Sequence, residues 1–207
     1  MKQGIDAVLA LTDRKQRFAA LLALLEPGDI VVDCGANIGS VAARFAARGC
    51  VMHCFEPDPL AFGMLKDRLA DNASVTLHNK AVWTEAGTAK LFFHETREEA
   101  SVERTQSSSL LADKINVDGS GGHDVELVDF PAFLRALPAP AAVLKIDIEG
   151  AEGELLKEIL DQNLEDRFSV CLVETHERKV PSSREPMKHV RNVIAERKLN
   201  HIFLDWK

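Results

Sequence analysis

In this 207-residue chain, apolar runs stop at an acid in three places. Val31-Val32 ends in Asp33, with Gly35, Asn37 and Gly39 directly after it; the run from Cys50 to Phe55 ends in Glu56; and Leu144, Ile146 and Ile148 alternate with Lys145, Asp147 and Glu149. Short apolar runs bounded by glycine read as buried parallel strands that turn into helices. Glycine in such a turn lets the backbone bend sharply and lie against a ligand with no Cβ in the way. The helix that follows adds unpaired N–H groups and a positive dipole end. The 33–39 loop therefore reads as a cradle for a nucleotide-type cofactor, although a purely structural strand–helix turn would have the same composition.

Spacing narrows the cofactor. The dinucleotide fingerprint needs G-x-G-x-x-G and the phosphate-binding loop needs G-x-x-x-x-G-K-[ST], whereas this loop reads D-x-G-x-N-x-G. An acid at the strand end suits a cofactor with a cationic amino-acid portion, as S-adenosylmethionine has. Glu56 lies 17 residues past Gly39, where the next strand of a βαβ unit should end. A carboxylate there can accept both hydroxyls of a ribose. Asp58, followed by Pro59, better fits the cap of the next helix. Asn79 could read an adenine edge or close a turn.

Period two puts Lys145, Asp147 and Glu149 on one face. Charges at the end of an apolar strand are costly unless paired or bound to something. Glu174 and His176 repeat the device one strand later, so these groups are expected to converge on one rim. His176 is the first candidate for a general base, because an ordinary pKa of about 6.5 suits proton transfer near neutrality. Asp147 is the alternative base or the holder of an acceptor hydroxyl, and Glu174 could orient His176. Asp147, Glu149 and Glu174, with His176, are also oxygen and imidazole donors, so Mg²⁺ is possible there but not expected. Glu152 could be a first-turn acid that the helix dipole favours.

Positioning these residues takes alternating strands and helices. Phe18, Leu21, Leu22 and Leu25 recur at helical spacing before a stop at Pro27-Gly28. Strands are expected at 29–33, 50–55, 75–78, 125–128, 141–148, 168–175 and 200–206, with helices at 38–48, 59–71, 130–137, 152–160 and 184–198. Residues 81–83 and 89–93 read as a hairpin around Glu85-Ala86-Gly87. The order implies an α/β fold: a doubly wound, mostly parallel sheet with helices on both faces. Residues 1–207 are expected to form one domain, with a helical segment at 1–26 and a loop over the site at 95–122.

Composition bounds the partners. A net charge of −7 with no dense basic cluster argues against nucleic acid and anionic membrane surfaces. No apolar run approaches a membrane span, and residues 1–6 do not open a signal peptide. Cys34, Cys50, Cys54 and Cys171 form no C-x-x-C pair, so a cytoplasmic protein is expected.

Taken together, Val-Asp-Cys-Gly-Ala-Asn-Ile-Gly at 32–39, Phe-Glu-Pro-Asp-Pro at 55–59, Lys-Ile-Asp-Ile-Glu-Gly-Ala-Glu at 145–152 and Glu-Thr-His at 174–176 resemble the FkbM-type methyltransferases. Asn79 to Val82 and Ser108-Ser109-Leu110 are weaker matches in the expected order. The resemblance covers roughly 28–180. It implies the class I methyltransferase fold, with a seven-stranded sheet whose last strand is antiparallel. It also implies O-methyl transfer to a sugar, glycan or natural-product hydroxyl, with Asp33, Gly35, Asn37, Gly39, Glu56, Asn79 and Ala81 at the cofactor. The chain departs from that pattern in showing one clear strand after its last helix. With little dedicated substrate domain, the acceptor pocket must draw on the hairpin, the 95–122 loop or a partner subunit in a homodimer.

Overall fold

The structure, a computed structural model, describes residues 4–92, 109–111 and 122–206. Six strands form the main sheet in the order β3-β2-β1-β7-β8-β9: Val75–His78, Val51–Phe55, Ile30–Cys34, Val143–Ile146, Cys171–Val173 and Ile202–Phe203. Every pairing in it is parallel. The strand order reverses between β1 and β7, and the crevice at such a point, beyond the carboxyl ends of the strands, is where open α/β sheets bind ligands.

Two apolar layers cover the sheet, as parallel strands buried on both faces require. On one face Val32, Cys34, Leu144 and Ile146 pack with α5 (Phe130–Ala136), α6 (Glu152–Asp161) and α7 (Arg184–Arg197). On the other, Val31, Met52, Cys54 and Val143 pack with α2 (Arg14–Leu24), α3 (Ala42–Ala46) and α4 (Pro59–Leu69). Short α1 (Ile5–Leu9) precedes them. Asp58 caps α4 as read from the sequence, accepting from the Leu60 N–H at 2.9 Å with Pro59 in the first turn. Trp206 packs edge-on against Phe18, and Arg17 stacks on Phe203 while bonding Asp205 at 2.7 Å, so the last described residues clasp α2.

Three expectations are corrected. The main sheet has no antiparallel seventh strand among the described residues; β9 runs parallel to β8, and residues 125–128 lie instead in β6 (His123–Asp129) of a second sheet. That sheet has the order β4-β6-β5, so β4 (Ala81–Trp83) and β5 (Gly87–Leu91) are not a hairpin pair: β6 enters between them, parallel to β4 and antiparallel to β5. The helix expected at 38–48 narrows to α3, because positive φ at Asn37 and Gly39 holds the preceding residues in turns. Most of the 95–122 loop lies outside the described residues. No helix among the described residues is long and apolar enough to cross a membrane.

Phe45 on α3 is fully buried and meets Phe18 edge-on with ring centroids 5.5 Å apart. Phe45→Ala should lower unfolding stability by about 3–5 kcal/mol, read as a drop in the urea midpoint.

Candidate active site

The strand ends dictate the site. In the parallel register of β1 and β7, Asp33 lies beside Lys145. Both side chains are withdrawn from water, and the Lys145 ammonium donates to Asp33 Oδ1 and to the Gly35 carbonyl, each at 2.9 Å. Burial alone would push the Lys145 ammonium down, yet the charges of Asp33 and Asp147 hold it above its ordinary value. Asp33, expected at the cofactor, is thus engaged by Lys145 through Oδ1. Its carboxylate does not line the cavity, and Lys145 takes one of its oxygens.

Beyond this pair the chain turns at Gly35 (φ 79°), and a Cβ there would sit 1.8 Å from the Asp147 carbonyl oxygen. The glycine is thus required by close approach of the β7–α6 loop as much as by its backbone angle. The Gly35 and Ala36 N–H groups donate to the Phe55 carbonyl, which folds the loop over the end of β2. Glu56 completes the cradle. Its two oxygens accept from the N–H groups of Asn37 and Asp58, each at 2.8 Å. Burial pushes its carboxyl up to about 8 despite those two bonds.

A cavity of about 230 Å³ opens here, lined by Gly35, Asn37, Glu56 and Ala81 among the expected cofactor residues. Lys80, Val82, Leu91, Leu110, Asp147, Ile148 and Glu149 also line it. Gly39 does not; its φ of 79° and its packing against Leu65 on α4 serve the turn. Asn79 does not either, because its side-chain amide donates to the carbonyls of Glu56 (2.9 Å) and Pro57 (3.2 Å). These bonds tie the end of β3 to the loop after β2. His78 stacks on Phe55 with centroids 4.3 Å apart, and burial pushes its ring down to about 4.

Asp147 and Glu149 stand on the cavity wall, whereas Glu174 and His176 do not. His176 is only 4% exposed. Its Nδ1 lies 2.9 Å from Glu152 Oε1, and its Nε2 lies 3.3 Å from Glu149 Oε2 and 3.5 Å from Glu174 Oε1. Burial works against the charged ring, but the Glu152 hydrogen bond and the charges of Glu152, Glu149 and Asp147 raise its pKa above the ordinary value. Sequence reasoning missed the part played by Glu152. Its carboxylate is buried and accepts the N–H groups of Ile148 (2.9 Å) and Gly150, so it ties the loop that carries Glu149 in a left-handed conformation (φ 57°). Ser109, buried at 1% exposure, donates its hydroxyl to the Glu149 carbonyl at 2.8 Å and bridges to Phe92, which brings Leu110 to the cavity.

The residues fit the cofactor that the loop spacing suggests: an open cavity meets a buried carboxylate with acceptor capacity beside a glycine turn. The Methyltransferase FkbM domain family matches residues 33–201. This chain belongs to the FkbM methyltransferase family. It is an S-adenosylmethionine-dependent methyltransferase. Its relative 31-O-demethyl-FK506 methyltransferase FkbM from Streptomyces tacrolimicus is 26% identical over 178 residues, spanning 74% of this chain and 67% of the relative. Among solved structures, a putative rRNA-methylase from Clostridium thermocellum is similar at 11% identity and a TM-score of 0.47, over 86% of this chain and 78% of that one. A methyltransferase from Geobacter sulfurreducens in complex with S-adenosylhomocysteine is similar over 36% of this chain and 35% of its own, at 23% identity and a TM-score of 0.27.

The Lys145–Asp33 pair predicts an asymmetry in the methyltransferase. Lys145→Met leaves a buried charge without its counter-ion and should cost about 3–5 kcal/mol, whereas the double change with Asp33→Leu should recover much of it in urea unfolding.

Proposed function

We propose that the methyltransferase transfers a methyl group to a hydroxyl oxygen of a small molecule: a sugar, a glycan or a natural product. One observation carries the reading. The cavity that holds the Glu56–Asn37 cradle also holds the carboxylates of Asp147 and Glu149 and the apolar side chains of Val82, Leu91, Leu110 and Ile148. An acceptor with an apolar body and a polar reacting group matches that lining. The Streptomyces tacrolimicus relative is named for methylating 31-O-demethyl-FK506, which supports an oxygen acceptor. The net charge of −7 supports a small molecule over nucleic acid, and four free, buried cysteines suit a reducing cytoplasm.

In this reading Gly35, Asn37, Glu56 and Ala81 hold the cofactor, with Glu56 accepting the ribose hydroxyls. Asp33, Gly39 and Asn79 act at one remove: Asp33 through Lys145, the other two through the shape of the loops. When bound, S-adenosylmethionine supplies a methyl group activated on a sulfonium. Asp147 accepts the hydrogen bond of the acceptor hydroxyl, orients its oxygen and takes up the proton that the oxygen sheds as its bond to the methyl forms. His176 is a positioning residue rather than the base. It leans on Glu152, which ties down the loop that carries Glu149.

Asp147→Asn should lower the rate of methyl transfer by about 10²- to 10⁴-fold while calorimetric binding of S-adenosylhomocysteine persists. Transfer to amines in place of hydroxyls across an acceptor panel would sink the proposal. Glu56 sets the pH response. Its folded-state pKa lies above its ordinary value, so its contribution to stability is complete below about pH 4 and is lost as pH rises through about 8. Ribose hydroxyls need the ionised carboxylate, so affinity for S-adenosylhomocysteine should rise between about pH 6 and about pH 9. Glu56→Gln should flatten that rise and weaken binding roughly ten- to hundredfold.

A further inference from the structure

Asp147, Glu149 and His176 each offer one donor atom, and the three atoms lie within 4.8 Å of one another. Among the described residues, the buried His176 Nε2 makes no aligned hydrogen bond. It approaches Glu149 Oε2 at 3.3 Å and Glu174 Oε1 at 3.5 Å. A charge-assisted N–H···O bond would draw such atoms to about 2.7–2.9 Å. Two donors bound to one ion at about 2.0–2.3 Å, at tetrahedral or octahedral angles, instead stand roughly 3.0–3.6 Å apart.

The far side of the ring agrees. Nδ1 meets Glu152 Oε1 at 2.9 Å, and the Glu152 oxygens also accept from the Ile148 and Gly150 N–H groups. A carboxylate that accepts the Nδ1–H hydrogen bond and so turns the Nε2 lone pair toward an ion is the usual outer partner of a metal-binding histidine. Lys145 Nζ bonds Asp33 Oδ1 at 2.9 Å and lies 3.6 Å from Asp147 Oδ2.

We propose that Asp147, Glu149 and His176 form a site for a divalent first-row metal ion, with Mn²⁺ the best match to two carboxylates and one imidazole. Glu174, which the sequence also offered as an oxygen donor, stands beside it with Oε1 3.5 Å from Nε2. Because Asp147 and Glu149 line the cavity, the ion borders the space for the acceptor. An acceptor hydroxyl bound to it would lose its proton more readily. That role rests on the O-methylation reading above, whereas the existence of the site does not.

The test is Mn²⁺ binding by the whole chelator-treated protein, followed by electron paramagnetic resonance with spin-echo detection of ¹⁴N coupling. The expected result is one bound ion that shows imidazole nitrogen coupling, with affinity at least tenfold weaker in Glu149→Gln. S-adenosylhomocysteine binding serves as the check that each protein is folded. No binding below millimolar Mn²⁺ by folded wild-type protein overturns the proposal. So does bound Mn²⁺ without nitrogen coupling, or affinity unchanged in Glu149→Gln. Activity separates the two readings. A chelated enzyme that methylates hydroxyl acceptors at an undiminished rate overturns the acceptor role of the ion and leaves O-methylation standing. A coupled Mn²⁺ site in an enzyme that methylates only amines supports the site and removes O-methylation.

Discussion

Lys145 is shut away from water at the point where the sheet changes direction, and its ammonium is held by Asp33 and the carbonyl of Gly35. Taking either charge out of water costs several kcal/mol, and the attraction offsets that cost only with good geometry and a further hydrogen bond. The parallel register supplies both, since Asp33 and Lys145 are partners across β1 and β7. A slip of one residue would turn each charge into the opposite apolar layer. The pair therefore specifies which strands are neighbours at the centre and where the glycine turn begins. The remaining strands are held by apolar packing that is far less particular about partners.

Much of this was legible in the sequence, for identifiable reasons. Burial on both faces makes β1, β2 and β7 continuous apolar runs, and an acid at the end of each stands out against them. The Asp58-Pro59 cap acts locally and folded as read. Non-local pairings were harder to see. Nothing in residues 81–93 signals that β6 will insert between β4 and β5, because it arrives from more than 30 residues further on. Lys145 was recognisable as a charge that needs a partner, but naming Asp33 required the order of the strands. Asn79 was ambiguous because an amide serves a turn and a ligand equally well.

Glu152 shows the same limit at the site. An acid in the first turn of a helix is explained by the dipole alone. Its burial, its bonds to Ile148 and Gly150, and its hold on His176 appear only when β8 lies beside β7 and brings His176 over the start of α6. The sequence placed the acids and the histidine on one rim without saying which would face the cavity. The answer is a layering: Asp147 and Glu149 at the wall, His176 behind them, and Glu152 locking the ring.

The missing Cβ at Gly35 leaves only enough room for the Asp147 carbonyl, so the turn after β1 and the turn after β7 touch along their backbones. A further bond from the Asp147 N–H to the Cys34 carbonyl joins them. Neither can shift while the other stays still. Order imposed on one turn is thereby imposed on its neighbour, and the second molecule to enter meets a chain whose freedom has already been lost to the first.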